Sequence, residues 1–153
     1  MKATLLKLLT ISALTSILST QALASSDIEF LSNEYYKSKG YPFSEAVKVG
    51  NTLYLSGQIG LDSKTGKLAP GGIEGESIQT MDNIKASLEN HGYSMSDVVK
   101  CTVMLADIKE WGVFNNIYKK YFSGNYPARS AFAASGLALG ARIEVECIAA
   151  VSN

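Results

Sequence analysis

The chain has 153 residues, with 14 basic against 14 acidic side chains and 46% hydrophobic residues. That balance excludes a nucleic-acid or anionic-membrane surface built from clustered Lys and Arg. The length allows one domain with a real core, small enough to profit from oligomerisation.

The first two dozen residues read as a secretory signal. Lys2 and Lys7 make a basic start, Leu8 to Leu18 is an uncharged apolar run, and Ala22-Leu23-Ala24 offers a small-residue cleavage site. The run is short for a membrane span. The expectation is a signal peptide over 1–24 and a single domain over 25–153, periplasmic or secreted, without membrane contact after cleavage. An uncleaved anchor or a buried N-terminal helix is the alternative. Losing Lys2 and Lys7 from the 14 basic residues leaves 12 against 14 acidic ones.

Ser25 to Pro42 is polar with aromatic punctuation (Phe30, Tyr35, Tyr36, Tyr41) and reads as an arm or irregular lead-in. Ala46–Val49 and Thr52–Ser56 flank Gly50-Asn51, the signature of a β-hairpin. Asp62 to Gly72, rich in Gly and Pro, reads as a surface loop. From Glu74 to His91, the residues Ile78, Met81, Ile84 and Leu88 recur at helical spacing, and Gly92 stops the helix. Val98–Ala106 alternates as a strand. Asp107 and Glu110 stand three apart like a capping box. A second helix follows with an aromatic stripe (Trp111, Phe114, Tyr118, Tyr121, Phe122), and Ala128–Ala134 and Arg142–Val151 read as the last strands. Short interleaved elements of this kind predict an α+β fold, an antiparallel or mixed sheet with both helices on one face. In the last strand Ile143, Val145, Cys147 and Ala149 point under the helices. Glu144, Glu146, Ile148 and Ala150 point to a second face that is half-solvated or packed on another subunit.

Few residues carry candidate chemistry. Arg129, aimed by Pro127, can grip a carboxylate with two parallel hydrogen bonds; the plain alternative is a surface arginine. Glu144, on a partly apolar face, suits general acid–base work on a water; the plain alternative is a partner for Arg142. Glu146 shares its parity and is the weaker candidate. Ser56 and Gly57 end the hairpin, where glycine permits close backbone approach. By spacing alone Asn115 belongs to a solvated helix face, the aromatic stripe is core, and His91 interacts with free carbonyls at a helix end. Cys101 and Cys147 sit in apolar runs and read as buried free thiols; a disulfide needs their strands adjacent and in register. Two cysteines and one histidine compose no typical zinc site, so no metal is expected.

PFSEAVKVGNTLYLSGQIG, MDNIKASLE, VVKCTVMLADIKEW, FNNIYKKYF and PARSAF…GARIEVECIAAV together resemble the Rid family (YjgF/RidA, enamine/imine deaminases) from Pro42 to Val151. The resemblance implies a chorismate mutase-like domain and a homotrimeric, barrel-like assembly with sites in the clefts between subunits. It implies hydrolysis of 2-enamino or 2-imino acids to 2-oxo acids and ammonia without a cofactor. Arg129 would hold the substrate carboxylate and Glu144 would position water, with Ser56, Gly57, Asn115 and Phe43 lining the pocket. Two positions depart from the family pattern: Phe43 replaces a frequent tyrosine, and Ala131 a frequent cysteine. A non-catalytic trimer that binds small carboxylates is the alternative function. A ribonuclease would need a basic surface that this chain lacks.

Overall fold

The computed structural model describes residues 28–151, so the expected signal peptide over 1–24 lies outside the described residues. The chain opens with β1 (Ile28–Leu31) and a one-and-a-half-turn helix, α1 (Glu34–Lys39). Asn33 caps α1 by accepting from the Tyr36 amide at 3.1 Å, and Gly40 closes it at φ 61°. The lead-in is therefore regular, contrary to the sequence reading. Elements of four and six residues are too short to leave a periodic signature.

β2 (Ala46–Val49) and β3 (Thr52–Leu55) form the expected hairpin, with Val49 opposite Thr52 and Gly50 at φ 54° in the two-residue turn. β4 (Gln58–Ile59) continues past a break at Ser56-Gly57. The predicted loop after it contains a small ladder of β5 (Leu61–Asp62) on β6 (Lys67–Leu68).

α2 (Gly72–Asn90) turns Ser77, Thr80, Met81, Ile84, Ser87 and Leu88 inward. Ile78, expected in that row, is 42% exposed. The helix is rotated so that small side chains meet the sheet, and it packs tightly. A Cβ on Gly60 would stand 2.6 Å from the Cα of Glu76.

β7 (Val98–Leu105) leads through a 3₁₀ turn into α3 (Trp111–Tyr118). The expected capping box is half made. Asp107 accepts from the Lys109 amide at 2.9 Å, but the Glu110 carboxylate instead receives the Arg142 guanidinium. Arg142 is thereby engaged by Glu110 and not by Glu144.

β8 (Ala128–Ala133) runs parallel to β7, and β9 (Ile143–Ala150) antiparallel to it. The strand order is β1-β2-β3-β9-β7-β8, with β4 also on β9. The sheet is mixed and α2 and α3 cover one face, as the α+β reading expects. The core lies between them, from Leu53, Val103, Leu105, Ile143 and Val145 below to Met81, Ile84, Leu88 and Phe114 above. Each such fully buried side chain contributes about 1.5–3 kcal/mol.

Cys101 and Cys147 face each other across β7 and β9 and form a disulfide, with Cα atoms 4.1 Å apart. This corrects the expectation of free thiols. Spacing along the chain carried no information on whether the two strands are neighbours, and they are neighbours in register.

Candidate active site

Arg129 lies on the helix-covered side of the edge strand β8, level with Cys101 and reaching towards α3. Its Nη2 donates to Asn115 Oδ1 at 2.7 Å. Its guanidinium carbon stands 4.6 Å from the Tyr118 ring centroid, 5.7 Å from that of Trp111 and 5.8 Å from that of Phe114. Three rings and one amide thus fix the cation, each by an interaction that favours positive charge. The remaining N–H groups are available to a planar anion. They border a cleft of about 400 Å³ lined by Asn115, Tyr118, Lys119, Tyr126, Pro127 and Arg129. Burial pushes the Tyr118 hydroxyl up to about 12, the nearby Arg129 charge opposing only in part, so the phenol is neutral over the working pH range. Its oxygen is buried and, among the described residues, has no hydrogen-bond partner.

The resemblance groups Asn115 with Arg129 in the pocket, whereas spacing alone puts Asn115 on a solvated face and treats the aromatic stripe as core, so the contact of the rings with the cation is what the sequence reading lacks. Phe114 and Tyr118 are buried and still present their faces to the arginine. The signal that could have found them is that Trp111, Asn115 and Tyr118 recur at i, i+4 and i+7, one helical face.

Glu144 occupies a second location. Its side chain is on the open face of the sheet, half-buried, beside Met104 of β7 and Ile59 of β4. Its carboxylate lies on the backbone of Gly57, where an added Cβ would meet Oε1 at 2.2 Å. Ser56 donates its hydroxyl to the Ser44 carbonyl at 2.7 Å, and its amide bonds the Glu45 carbonyl, so it ties this corner to the segment after Phe43. Gln58 donates to the Tyr36 hydroxyl at 2.7 Å. Phe43 is 51% exposed and stacks on Tyr41.

Within one chain Arg129 and Glu144 do not meet. Arg129 is level with Cys147 across two strands, and Glu144 is three residues further along β9, on the other face. Strand spacing and rise put their backbones on the order of 10 Å apart in each direction. The candidate residues therefore fall into two groups, Arg129 with Asn115 and Glu144 with Ser56, Gly57 and Phe43. Glu146 is exposed on the open face opposite Thr102. His91 pairs with the buried Glu45 at 3.2 Å, which corrects its expected role at helix carbonyls. Among the described residues no cluster of His, Cys, Asp and Glu could hold a metal ion.

Residues 37–151 match the family described as Endoribonuclease L-PSP. The mouse 2-iminobutanoate/2-iminopropanoate deaminase is 46% identical over 108 residues, 71% of this chain and 80% of that protein. The chain belongs to the Rid (RidA/YjgF) family. A putative endoribonuclease L-PSP from Entamoeba histolytica superposes on this Rid chain with a TM-score of 0.70 at 51% identity, over 72% of this chain and 89% of that one. E. coli TdcF, solved with bound serine, gives a TM-score of 0.69 at 30% identity, over 73% and 90%. The Rid fold thus accounts for the mixed sheet and its two covering helices.

Proposed function

We propose that this Rid protein hydrolyses small 2-imino and 2-enamino acids to 2-oxo acids and ammonia. The observation that carries the reading is the Arg129 guanidinium, held by Asn115 and three rings at the mouth of a cleft. The curated relatives of like sequence, named for the deamination of 2-iminobutanoate and 2-iminopropanoate, support it.

In this reaction Arg129 binds the substrate carboxylate with paired hydrogen bonds. Glu144 accepts a proton from water as the water oxygen bonds to the imine carbon and the C=N electron pair moves to nitrogen. Glu144 returns that proton to nitrogen; as the C–N bond breaks, an oxygen electron pair of the carbinol forms the C=O bond, its hydroxyl proton passes through Glu144 to the departing ammonia, and ammonium and the 2-oxo acid leave with Glu144 ionised again. A protonated imine carbon is already electrophilic. Orientation and one well-placed carboxylate suffice, the latter contributing ~10²–10⁴-fold.

The active form is a homotrimer with each site between two subunits. Two features support this. Arg129 and Glu144 lie on opposite faces of one sheet, so a neighbour must bring the second group. The open face also carries an apolar set, including Phe30, Tyr54 and Phe132, each about half or more exposed. The protein is exported to the periplasm or secreted, a reading supported by the signal-like N-terminus and by a buried disulfide, which belongs to oxidising compartments.

The test is to feed the purified protein imino acids made in situ by an amino-acid oxidase and follow imine loss against the uncatalysed rate. Acceleration lost in both Arg129→Ala and Glu144→Ala is the expected result; no acceleration by the wild type on any imine would sink the reading. A non-catalytic carboxylate-binding trimer is the second reading. It is favoured by the missing hydroxyl at Phe43 and by the structure of TdcF with bound serine, a small carboxylate.

A further inference from the structure

The Arg129 cleft holds a second cation that the deamination steps leave unused. Lys119 lines it together with Arg129, Asn115 and Tyr126, and among the described residues no carboxylate does. Lys119 follows Asn115 by four residues, so it stands one turn along on the same helical face as the amide that holds Arg129. The Lys119 amide donates to the Asn115 carbonyl and closes α3, where the negative end of the helix favours its charge.

The chain itself neutralises neither cation. Among the described residues Lys37, Lys48, Lys85, His91 and Arg142 pair with carboxylates, and Arg129 and Lys119 do not. The Lys119 ammonium donates to Asn116 Oδ1 at 3.1 Å, which leaves it further donors. Tyr126 and Pro127 also line a larger neighbouring cleft of about 850 Å³, which adds Lys85 and Lys120 and, as its carboxylate, Glu89, the partner of Lys85. The two clefts thus carry Lys85, Lys119, Lys120 and Arg129 against Glu89 alone, in a chain whose 14 basic and 14 acidic residues balance. Walls of one sign concentrate ligands of the other. A substrate with a single carboxylate satisfies Arg129 and leaves Lys119 unpaired.

We infer that Lys119 is a specificity-determining residue, and that the cleft selects 2-imino acids whose side chain carries a second carboxylate over uncharged ones of the same size. Arg129 takes the carboxylate beside the imine carbon, and Lys119 takes the one on the side chain. The inference rests on the deaminase reading for its reaction and on the unpaired lysine for its specificity. A cleft of about 400 Å³ lies within the range of small-molecule sites and leaves room for a chain of about four or five carbons. Imines of this class arise from oxidation of amino acids with acidic side chains, so a reaction of that kind must supply the substrate.

The experiment compares kcat/KM for imines generated in situ from aspartate and asparagine, and from glutamate and glutamine. Within each pair the size is matched and the charge differs. An exposed ion pair changes an equilibrium by up to about fivefold, so the acid-to-amide ratio in the wild type should be about five. Lys119→Met should bring it towards one, and Lys119→Glu below one. Salt should shrink the wild-type ratio, because the Debye length falls from about 30 Å at 0.01 M to about 3 Å at 1 M; a merely structural lysine would leave the ratio unchanged. A wild-type ratio of one or below overturns the inference, as does a ratio untouched by both substitutions. Calorimetric binding of 2-oxoglutarate and 2-oxopentanoate to the wild type and to Lys119→Met separates this from the deaminase reading. With no turnover of any imine, tighter 2-oxoglutarate binding that Lys119→Met abolishes retains the selection and removes the reaction, while equal binding, or none, overturns the inference. Lys119 is exposed, so both variants should fold, as their Tm will show; if one does not, the wild-type ratios and their salt dependence decide.

Discussion

The Glu144 carboxylate rests directly on Gly57, so closely that a methyl group at residue 57 would stand 2.2 Å from Oε1. The obstructed atom is the far end of a flexible side chain. Gly57→Ala should therefore fold normally and push the carboxylate aside. Misplacing a reacting group by about 1 Å costs roughly 10² in rate. The expected outcome is a kcat reduced by about that factor with a Tm within a few degrees of wild type, read from steady-state kinetics and a thermal melt. An unchanged kcat would show that this seat does not position the catalytic group.

A site shared between subunits has a complementation signature. Arg129→Ala and Glu144→Ala proteins, each inactive, should regain activity when unfolded together and refolded as a mixture. With random assembly into a closed ring, about a quarter of the interfaces would pair an intact arginine with an intact glutamate. Recovery near that fraction of wild-type activity is expected. No recovery, with mixed oligomers verified by mass spectrometry, would place both groups in one subunit.

Tyr118 gives a stability test. Burial pushes its hydroxyl up from the ordinary tyrosine value of 10.0 to about 12, opposed in part by Arg129. A group whose folded pKa is raised contributes stability that is complete below its unfolded pKa and is lost as pH rises through the folded value. The loss falls between about pH 10 and 12. Tyr118→Phe should shallow the decline of Tm over that window. Because the hydroxyl has no partner, the same change should cost little at neutral pH. A steeper alkaline decline in the variant would contradict this.

The disulfide closes a sequence separation of 46 residues. Chain-entropy reasoning assigns such a loop about 4 kcal/mol, with wide scatter between proteins. Cys101→Ala/Cys147→Ala should lower the denaturant midpoint accordingly. Thiol titration of the unfolded, unreduced protein should find no free thiol. Two free thiols would restore the original sequence reading.

How legible these features were in the sequence depended on their range. The hairpin at Gly50-Asn51, the two covering helices and the two-sided character of β9 all follow from local periodicity, and each stands as expected. The Cys101–Cys147 bond and the Glu45–His91 pair depend on which distant segments become neighbours, which no local pattern encodes. Apolar spacing favours Ile78 for the buried row, whereas the helix sets Glu76 against Gly60 and turns Ser77 and Thr80 inward instead. Arg129, Glu144, Ser56 and Gly57 stand out by residue chemistry, and the family resemblance adds Asn115 and Phe43 and gives each its expected role. The split of Arg129 and Glu144 between two faces follows from β8 pairing level with β7, and that register was not readable beforehand.

The position of β9 also sets an order of events. The final strand pairs with β3, β4 and β7 and, among the described residues, is the only bridge between the hairpin and the β7–β8 pair. Until Ile143–Ala150 is available, the two halves of the sheet have no common ladder and the helices have no continuous floor. A chain delivered from its N-terminus thus remains two unjoined pieces through most of its emergence. It then closes in a single late step that draws together segments far apart in sequence, the kind of closure that makes folding slow.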